Sequence, residues 1–175
     1  MRHRCISDKE YLNNFKFTVK LDYMAGQDYT ITILVDKSPK EVFESVNDVR
    51  GWWSGEITGK TDRLGSVWEY RYKDMHRSKQ RITEFVPDKR VVWHVVDSYL
   101  SFIKDKGEWN GTDIVFDITK KGNKTELRFT HVGLAPKIEC YGACTDAWSF
   151  YIKTSLRNLI MKGKGQPNPK EKKKK

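Results

Sequence analysis

The sequence predicts an α+β domain of about six to seven antiparallel strands, with two short helices after the first strand and one long C-terminal helix. Three observations support this fold class. Segments with alternating apolar and polar side chains follow one another between residues 67 and 132, separated by short turns. A capped helix start precedes them, directly after the first strand, and the last apolar segment has helical spacing. Six Trp, eight Tyr and eight Phe supply the apolar surface for a large core.

The first strand is followed by two short helices. The segment Tyr29–Val35 alternates apolar and polar side chains at its start, as a half-buried strand does. In Ser38-Pro39-Lys40-Glu41, the serine can cap a helix, proline fits the first helical position, and glutamate three residues later completes a capping box. A second helical turn is expected just after it, at the pair Trp52-Trp53.

Five more strands are expected, connected by turns at Lys73-Asp74, Pro87-Asp88 and Gly122-Asn123. They are residues 67–72, 76–86, 90–96, 113–119 and 125–132. The strand at residues 90–96 has apolar side chains on both faces, so both faces are expected to be covered by other parts of the domain.

The longest helix is predicted from about Thr145 to Lys162. Trp148, Tyr151 and Ile152 begin a series of apolar residues that recurs at three- and four-residue spacing, and Gly163 is the expected C-terminal cap. A helix with so broad an apolar face needs a sheet to pack on.

The chain is expected to divide into three segments: a disordered N-terminal extension at residues 1–23, one domain at 24–165, and a disordered Lys-rich tail at 166–175. The net charge of +10 is concentrated at the ends, because residues 162–175 contain seven Lys and one Glu. A nucleic-acid-binding domain would instead carry its positive charge on the folded surface. We therefore expect no specific nucleic-acid partner.

The location is expected to be cytoplasmic. No apolar run approaches the ~20 residues of a membrane-spanning helix, and no apolar segment follows the basic N-terminus as in a signal peptide. Three cysteines, Cys5, Cys140 and Cys144, are too few for a disulfide framework. A zinc site needs four protein ligands or three plus water, and His131 is the only candidate expected near Cys140 and Cys144. Packing is the commoner role of buried cysteines, so it is favoured here and no metal or cofactor is expected.

The order of these elements resembles the START-like (SRPBCC) superfamily, and within it the branch that resembles the C-terminal domain of the heat-shock-protein-ninety ATPase activator. The resemblance covers residues 28–165 and implies a helix-grip fold. In such a fold a curved antiparallel sheet of about six to seven strands wraps the long C-terminal helix, with a cavity between them. Members of the superfamily bind lipids, hormones or polyketides in this cavity, and some catalyse reactions there. The matching segments are Ser38-Pro39-Lys40-Glu41-Val42-Phe43, Trp52-Trp53, Pro87-Asp88-Lys89-Arg90-Val91-Val92-Trp93, Thr125-Glu126-Leu127-Arg128-Phe129-Thr130-His131, Gly133-Leu134, Glu139-Cys140-Tyr141, Trp148 and Ser155-Leu156-Arg157.

Aromatic residues that can form the wall of this cavity are the candidate ligand-binding residues, together with one histidine. His131 shares a strand face with Leu127 and Phe129, so it is expected either to contact a ligand or to be a hydrogen-bonded structural residue. No nucleophile elbow, phosphate-binding loop, zinc-protease motif or dinucleotide fingerprint occurs, and no catalytic residue is assigned. The candidates are Trp53, Trp68, Tyr70, Trp93, Phe116, Phe129, His131 and Trp148.

Three functions remain open at this point. The first is a non-enzymatic binding module for a small hydrophobic or lipid-like molecule. The second is a cyclase- or hydratase-type enzyme that uses His131 or a cavity tyrosine as acid or base. The third is a protein-interaction module that contacts a chaperone, as the resemblance implies. A cavity would favour the first two over the third, and a buried His–carboxylate pair inside it would favour the enzyme.

Overall fold

The computed structural model describes residues 27–169, and in this range seven strands form one antiparallel sheet. The strand order is β1-β7-β6-β5-β4-β3-β2, so consecutive strands are neighbours except where β1 pairs with β7. The α+β fold class with a curved antiparallel sheet is confirmed. The strands are β1 Tyr29–Val35, β2 Ile57–Gly59, β3 Val67–Tyr72, β4 His76–Val86, β5 Arg90–Leu100, β6 Asp113–Lys121 and β7 Lys124–Val132.

Two short helices, α1 (Pro39–Asn47) and α2 (Val49–Trp52), connect β1 to β2. The predicted capping box is present at the start of α1. Ser38 Oγ accepts a hydrogen bond from the Glu41 amide at 3.3 Å, and the Ser38 amide donates to Glu41 Oε2 at 2.8 Å. The cap begins the helix at the residue where the sequence predicts it.

The C-terminal helix consists of three consecutive parts, α3 (Tyr141–Phe150), a π-helical segment (Tyr151–Leu156) and α4 (Arg157–Lys162). It begins four residues before the predicted start and ends at Gly163, whose φ of 71° provides the left-handed cap. In the π-helical segment, Ser155 Oγ donates to the Trp52 carbonyl at 2.6 Å. This contact joins the helix to the end of α2.

The predicted turns are all present, and each of the three contains a residue with positive φ: Lys73 at 50°, Asp88 at 62° and Gly122 at 60°. The sequence analysis missed β2, because only Ile57 of its three residues is buried and so short a strand shows no periodicity. It also ended β5 at residue 96, whereas the strand continues to Leu100. The loop from residue 101 to 112 then returns the chain to β6.

The C-terminal end of the described chain contacts the domain. The Asn168 amide donates to the Trp53 carbonyl at 3.1 Å, and the Asn168 carbonyl accepts from the Gly55 amide at 3.1 Å. Residues 166–168, which the sequence analysis assigned to the tail, are therefore hydrogen-bonded to the domain. The predicted extension at residues 1–23 and the tail from residue 170 lie outside the described residues.

Within residues 27–169, no helix is long and apolar enough to cross a bilayer. The buried residues form one hydrophobic core between the concave face of the sheet and the C-terminal helix. The helix-grip arrangement that the resemblance implies is thus confirmed.

Candidate ligand-binding site

A cavity of about 240 Å³ opens between the sheet and the C-terminal helix. The helix contributes one wall through Cys144, Trp148 and Tyr151, while Ala143 and Ala147 lie at the mouth. Because alanine side chains are small, they leave the entrance open on the helix side. The other walls come from the turn before β4, the loop after β5, and the ends of α2 and β3, and they consist of Trp53, Tyr70, Tyr72, Met75, His76, Phe102 and Trp109.

Two pairs of nearly parallel rings form flat surfaces in the cavity wall. Trp53 stacks on Tyr70 with ring centroids 4.2 Å apart and an interplanar angle of 14°. Trp109 is stacked on Trp148 at 5.9 Å and 13°. Such walls complement a flat apolar molecule, because aromatic rings pack against each other in offset-stacked and edge-to-face arrangements.

Two residues on the rim of the cavity expose apolar side chains to solvent. Met75 is 45% exposed and Phe102 is also 45% exposed, although both are large and hydrophobic. The Ser101 amide donates to the Met75 carbonyl at 2.9 Å, which joins the turn before β4 to the loop after β5. The two side chains therefore lie on one continuous, apolar rim.

His76 supplies a polar atom in the cavity wall. Its ring lies edge-to-face against Tyr70 at 5.0 Å and Trp109 at 4.6 Å, which fixes its orientation. The side chain is half-buried, but its Nε2 atom is fully buried and has no hydrogen-bond partner among the described residues. Burial lowers the pKa of His76 to about 3, so the imidazole is neutral at physiological pH.

The tyrosine hydroxyls at the cavity are neutral as well. Burial, followed by the neighbouring Tyr151, raises the pKa of Tyr70 far above its usual range. Burial also raises the pKa of Tyr151. Tyr70 Oη accepts a hydrogen bond from Asn168 Nδ2 at 3.2 Å, which links the site to the C-terminal segment. The site is therefore uncharged at neutral pH.

His131, one of the predicted ligand-binding residues, is not among the residues that line this cavity. It is fully buried, and Trp148 Nε1 donates to its Nδ1 atom at 3.0 Å. Its Nε2 atom lies 3.0 Å from Thr112 Oγ1, which in turn donates to the Trp109 carbonyl at 2.6 Å. Both ring nitrogens thus have partners, as in a structural histidine.

Of the eight candidate residues, the structure brings three to the cavity: Trp53, Tyr70 and Trp148. The other four aromatic candidates pack in the core and are not among the residues that line this cavity. Each of them faces the concave side of the sheet as predicted, but neighbouring rings cover its inner surface. These four are Trp68, Trp93, Phe116 and Phe129.

The sequence analysis missed His76, Trp109 and Phe102. His76 begins β4, and the next two buried residues on its face, Ser78 and Gln80, are polar, so no apolar alternation in the sequence indicates its direction. Trp109 and Phe102 belong to the 101–112 loop, which has no periodic pattern. The one available signal in the sequence was Trp109 itself, because a tryptophan in an otherwise polar loop is seldom left exposed to solvent.

The two cysteines at the start of the C-terminal helix are buried free thiols. Cys140 Sγ accepts a hydrogen bond from Trp109 Nε1 at 3.2 Å, and Cys144 lies in the cavity wall. The neighbouring Cys144, followed by burial, raises the pKa of the Cys140 thiol. Within residues 27–169, no group of three or more His, Cys, Asp or Glu side chains is arranged to hold a metal ion.

Residues 36–160 match the sequence model of the family described as activator of Hsp90 ATPase homolog 1-like protein. The match spans more than half of the chain. The chain belongs to this family. Membership confirms the START-like branch that the sequence resembles, and the matched range begins just after β1 and ends in α4.

Several solved structures share the fold of this member of the activator-homolog family. The Aha1 dimer from Colwellia psychrerythraea has a TM-score of 0.65 at 23% identity, and the match covers 79% of this chain and 99% of that chain. Protein SSP2350 from Staphylococcus saprophyticus has a TM-score of 0.60 at 14% identity, with 80% and 96% covered. DynU16, from the dynemicin biosynthetic locus, has a TM-score of 0.58 at 14% identity, with 79% and 48% covered.

At these identities the structural similarity shows the fold alone. No curated protein sequence matches the chain significantly. The fold positions the cavity, and the side chains that line the cavity determine what it can bind.

Proposed function

We propose that the domain is a binding module for a small hydrophobic molecule, held in the cavity between the sheet and the C-terminal helix. The observation that carries this proposal is the set of aromatic walls around an open cavity of about 240 Å³. Ligand sites are typically concave and mostly apolar, with a few polar groups that orient the ligand. This site has that composition, with His76 and the hydroxyls of Tyr70 and Tyr151 as its polar groups.

The size of the cavity favours a compact molecule over a long lipid chain. A cavity of roughly 150 Å³ is large enough to bind benzene. The present cavity, at about 240 Å³, therefore suits one or two rings. The exposed Met75 and Phe102 side chains on its rim give an apolar ligand a surface to contact as it enters.

A binding role is favoured over the two alternatives. For an enzyme, the expected acid or base was His131 or a cavity tyrosine. The ring nitrogens of His131 are occupied by Trp148 and Thr112, and burial raises the pKa of both Tyr70 and Tyr151, which disfavours either hydroxyl as a base. Among the described residues that line the cavity there is no carboxylate to pair with His76. For a chaperone-contacting module, a fully packed interior would be the favourable finding, and the interior contains a cavity instead.

Native mass spectrometry of the freshly purified full chain tests this proposal directly. We expect a fraction of the protein to carry a small molecule that is released on denaturation. Equilibrium dialysis with naphthalene, a neutral two-ring probe, supplies a second measurement that does not depend on co-purification. If no molecule co-purifies and naphthalene is not retained, the cavity is not a binding site.

A substitution at the mouth makes the test specific for the cavity. Ala147 is exposed and lies at the entrance, so Ala147→Phe is expected to close it without disturbing the core. We expect this change to weaken naphthalene binding at least about tenfold, since a phenyl ring would occupy the entrance. Asp146→Phe places the same ring on the neighbouring exposed position outside the cavity wall, and it should leave binding unchanged.

A further inference from the structure

The strongest clue to the kind of ligand is the Nε2 atom of His76. This atom is buried without a partner in a residue that lines the cavity. Because a buried polar atom is less stable without a hydrogen bond than with one, it is suited to a ligand's hydrogen-bonding group. The edge-to-face contacts with Tyr70 and Trp109 hold the ring in place. The ring that carries this atom lines the cavity and is held in one orientation.

The charge of the site restricts the ligand further. Within the described chain, every residue that lines the cavity is uncharged at neutral pH, because the wall contains no Asp, Glu, Lys or Arg, and burial keeps His76 neutral. A carboxylate or an ammonium group would lose its hydration here without gaining an opposite charge. A hydroxyl group avoids this cost, and it can either donate to or accept from a neutral imidazole.

The shape of the site restricts the ligand to a flat molecule. The stacked pairs Trp53–Tyr70 and Trp109–Trp148, with interplanar angles of 14° and 13°, line the cavity. The two pairs meet where Trp53 contacts Trp148, with ring centroids 4.9 Å apart. Planar rings use such walls better than branched aliphatic groups do, because offset-stacked and edge-to-face contacts require a flat partner.

We propose that the cavity selects a neutral, planar aromatic molecule of one or two rings with a hydroxyl group, and that this hydroxyl hydrogen-bonds to His76 Nε2. This inference rests on the proposed binding function. The experiments below distinguish a failure of the hydroxyl selectivity from a failure of binding itself. His76 is then the residue that determines specificity, while the aromatic walls supply most of the contact area. Neither role requires a covalent step.

Equilibrium dialysis of the full chain with three matched probes tests the selectivity. The probes are 2-naphthol, naphthalene and 2-naphthoate, which share one ring system and differ in their polar group. We expect 2-naphthol to bind about fivefold to thirtyfold more tightly than naphthalene, as one satisfied buried hydrogen bond predicts. We expect 2-naphthoate to bind most weakly, because its charge has no partner.

A variant then assigns the preference to one atom. His76→Phe keeps an aromatic ring between Tyr70 and Trp109 but removes both nitrogens, so 2-naphthol and naphthalene should bind within about twofold of each other. His94→Phe is the matched control, since His94 lies on the other sheet face and pairs with Asp113 at 2.8 Å. The control should keep the preference of the wild-type protein.

Each outcome decides a separate claim. If naphthalene binds and 2-naphthol is not preferred, the hydroxyl selectivity is wrong while the binding function stands. If neither probe binds, the binding function itself fails. If His76→Phe does not fold, the ¹⁵N chemical shift of His76 Nε2 in the wild-type protein is measured instead. Addition of 2-naphthol must move that signal and leave the His131 signals in place, and a shift at His131 alone would overturn the assignment.

Discussion

Trp148 donates its indole N–H to Nδ1 of His131 over 3.0 Å. Since a neutral imidazole has one protonated nitrogen, this contact places the proton on Nε2, which donates to Thr112 Oγ1. The threonine hydroxyl then donates to the Trp109 carbonyl. The chain of hydrogen bonds joins the C-terminal helix, β7 and the 101–112 loop, and it fixes two tryptophans that form the cavity wall.

We expect His131→Phe to destabilise the protein by about 1–3 kcal/mol, because the buried Trp148 indole N–H loses its acceptor. Urea denaturation of the wild-type and variant proteins gives this free energy of unfolding. In Trp148→Phe the donor is absent, so adding His131→Phe to that variant should cost less than the same change in the wild type. Fully additive effects of the two substitutions would show that the hydrogen bond contributes nothing to stability.

The two buried histidines predict that the protein loses stability in acid. Burial lowers the pKa of both His76 and His131 from 6.5 to about 3 in the folded state. The unfolded chain therefore binds more protons between pH 6.5 and 3, and the free energy of unfolding must fall as the pH falls through this window. The slope is at most about 1.4 kcal/mol per pH unit for each histidine.

Urea denaturation at several pH values between 7 and 4 measures this slope. Replacing His131 by Phe removes one of the two titrating groups, so the variant should be less stable than the wild type at pH 7 but lose less stability on acidification. An equal slope in both proteins would mean that His131 binds its proton equally in the folded and unfolded states over this pH range.

The C-terminal segment gives a prediction about the boundary of the domain. Truncation after residue 165 removes the Asn168 hydrogen bonds to Trp53, Gly55 and Tyr70, and we expect a loss of about 1–3 kcal/mol in the free energy of unfolding. Truncation after residue 169 keeps these contacts and removes only the last six residues. Thermal unfolding should distinguish the two truncations by several degrees, and equal melting temperatures would show that the segment does not stabilise the domain.

The sequence predicts the fold well because its signals are local. The capping box at Ser38, the turn at Gly122 and the helical end at Gly163 each depend on a few adjacent residues. The site depends instead on contacts between distant segments. Trp109, from a loop without periodicity, and His76, from the start of a strand, meet only after the sheet has curved and the loop has folded back.

The assignment of the two histidines illustrates the same limit. Alternation along β7 correctly places His131 on the concave face of the sheet, beside Phe129. Whether such a histidine faces a ligand or a neighbouring side chain depends on what lies opposite, and here Trp148 of the C-terminal helix occupies that position. No spacing within one strand carries that information.

The final prediction separates core tryptophans from residues of the cavity wall. The sequence analysis placed Trp93 on the wall, but it is fully buried and packs between Trp53, Trp68 and Phe116. We expect Trp93→Ala to cost about 3–5 kcal/mol, the range for large-to-small changes in a packed core. Phe102, on the rim, is 45% exposed, so Phe102→Ala should cost less than about 1 kcal/mol.

For naphthalene binding we expect the opposite order, with the rim residue Phe102 mattering more than the core residue Trp93. Phe102→Ala removes part of the cavity rim and should weaken naphthalene binding about threefold to tenfold in a protein that remains folded, as the loss of one apolar contact predicts. Leu64→Ala, at an exposed position far from the cavity wall, is the control and should change neither quantity. Urea denaturation and equilibrium dialysis on the same preparations measure both effects. If Trp93→Ala retains its stability, the interior around Trp93 is not closely packed, and the cavity extends deeper into the domain than the wall formed by Trp53 and Trp148.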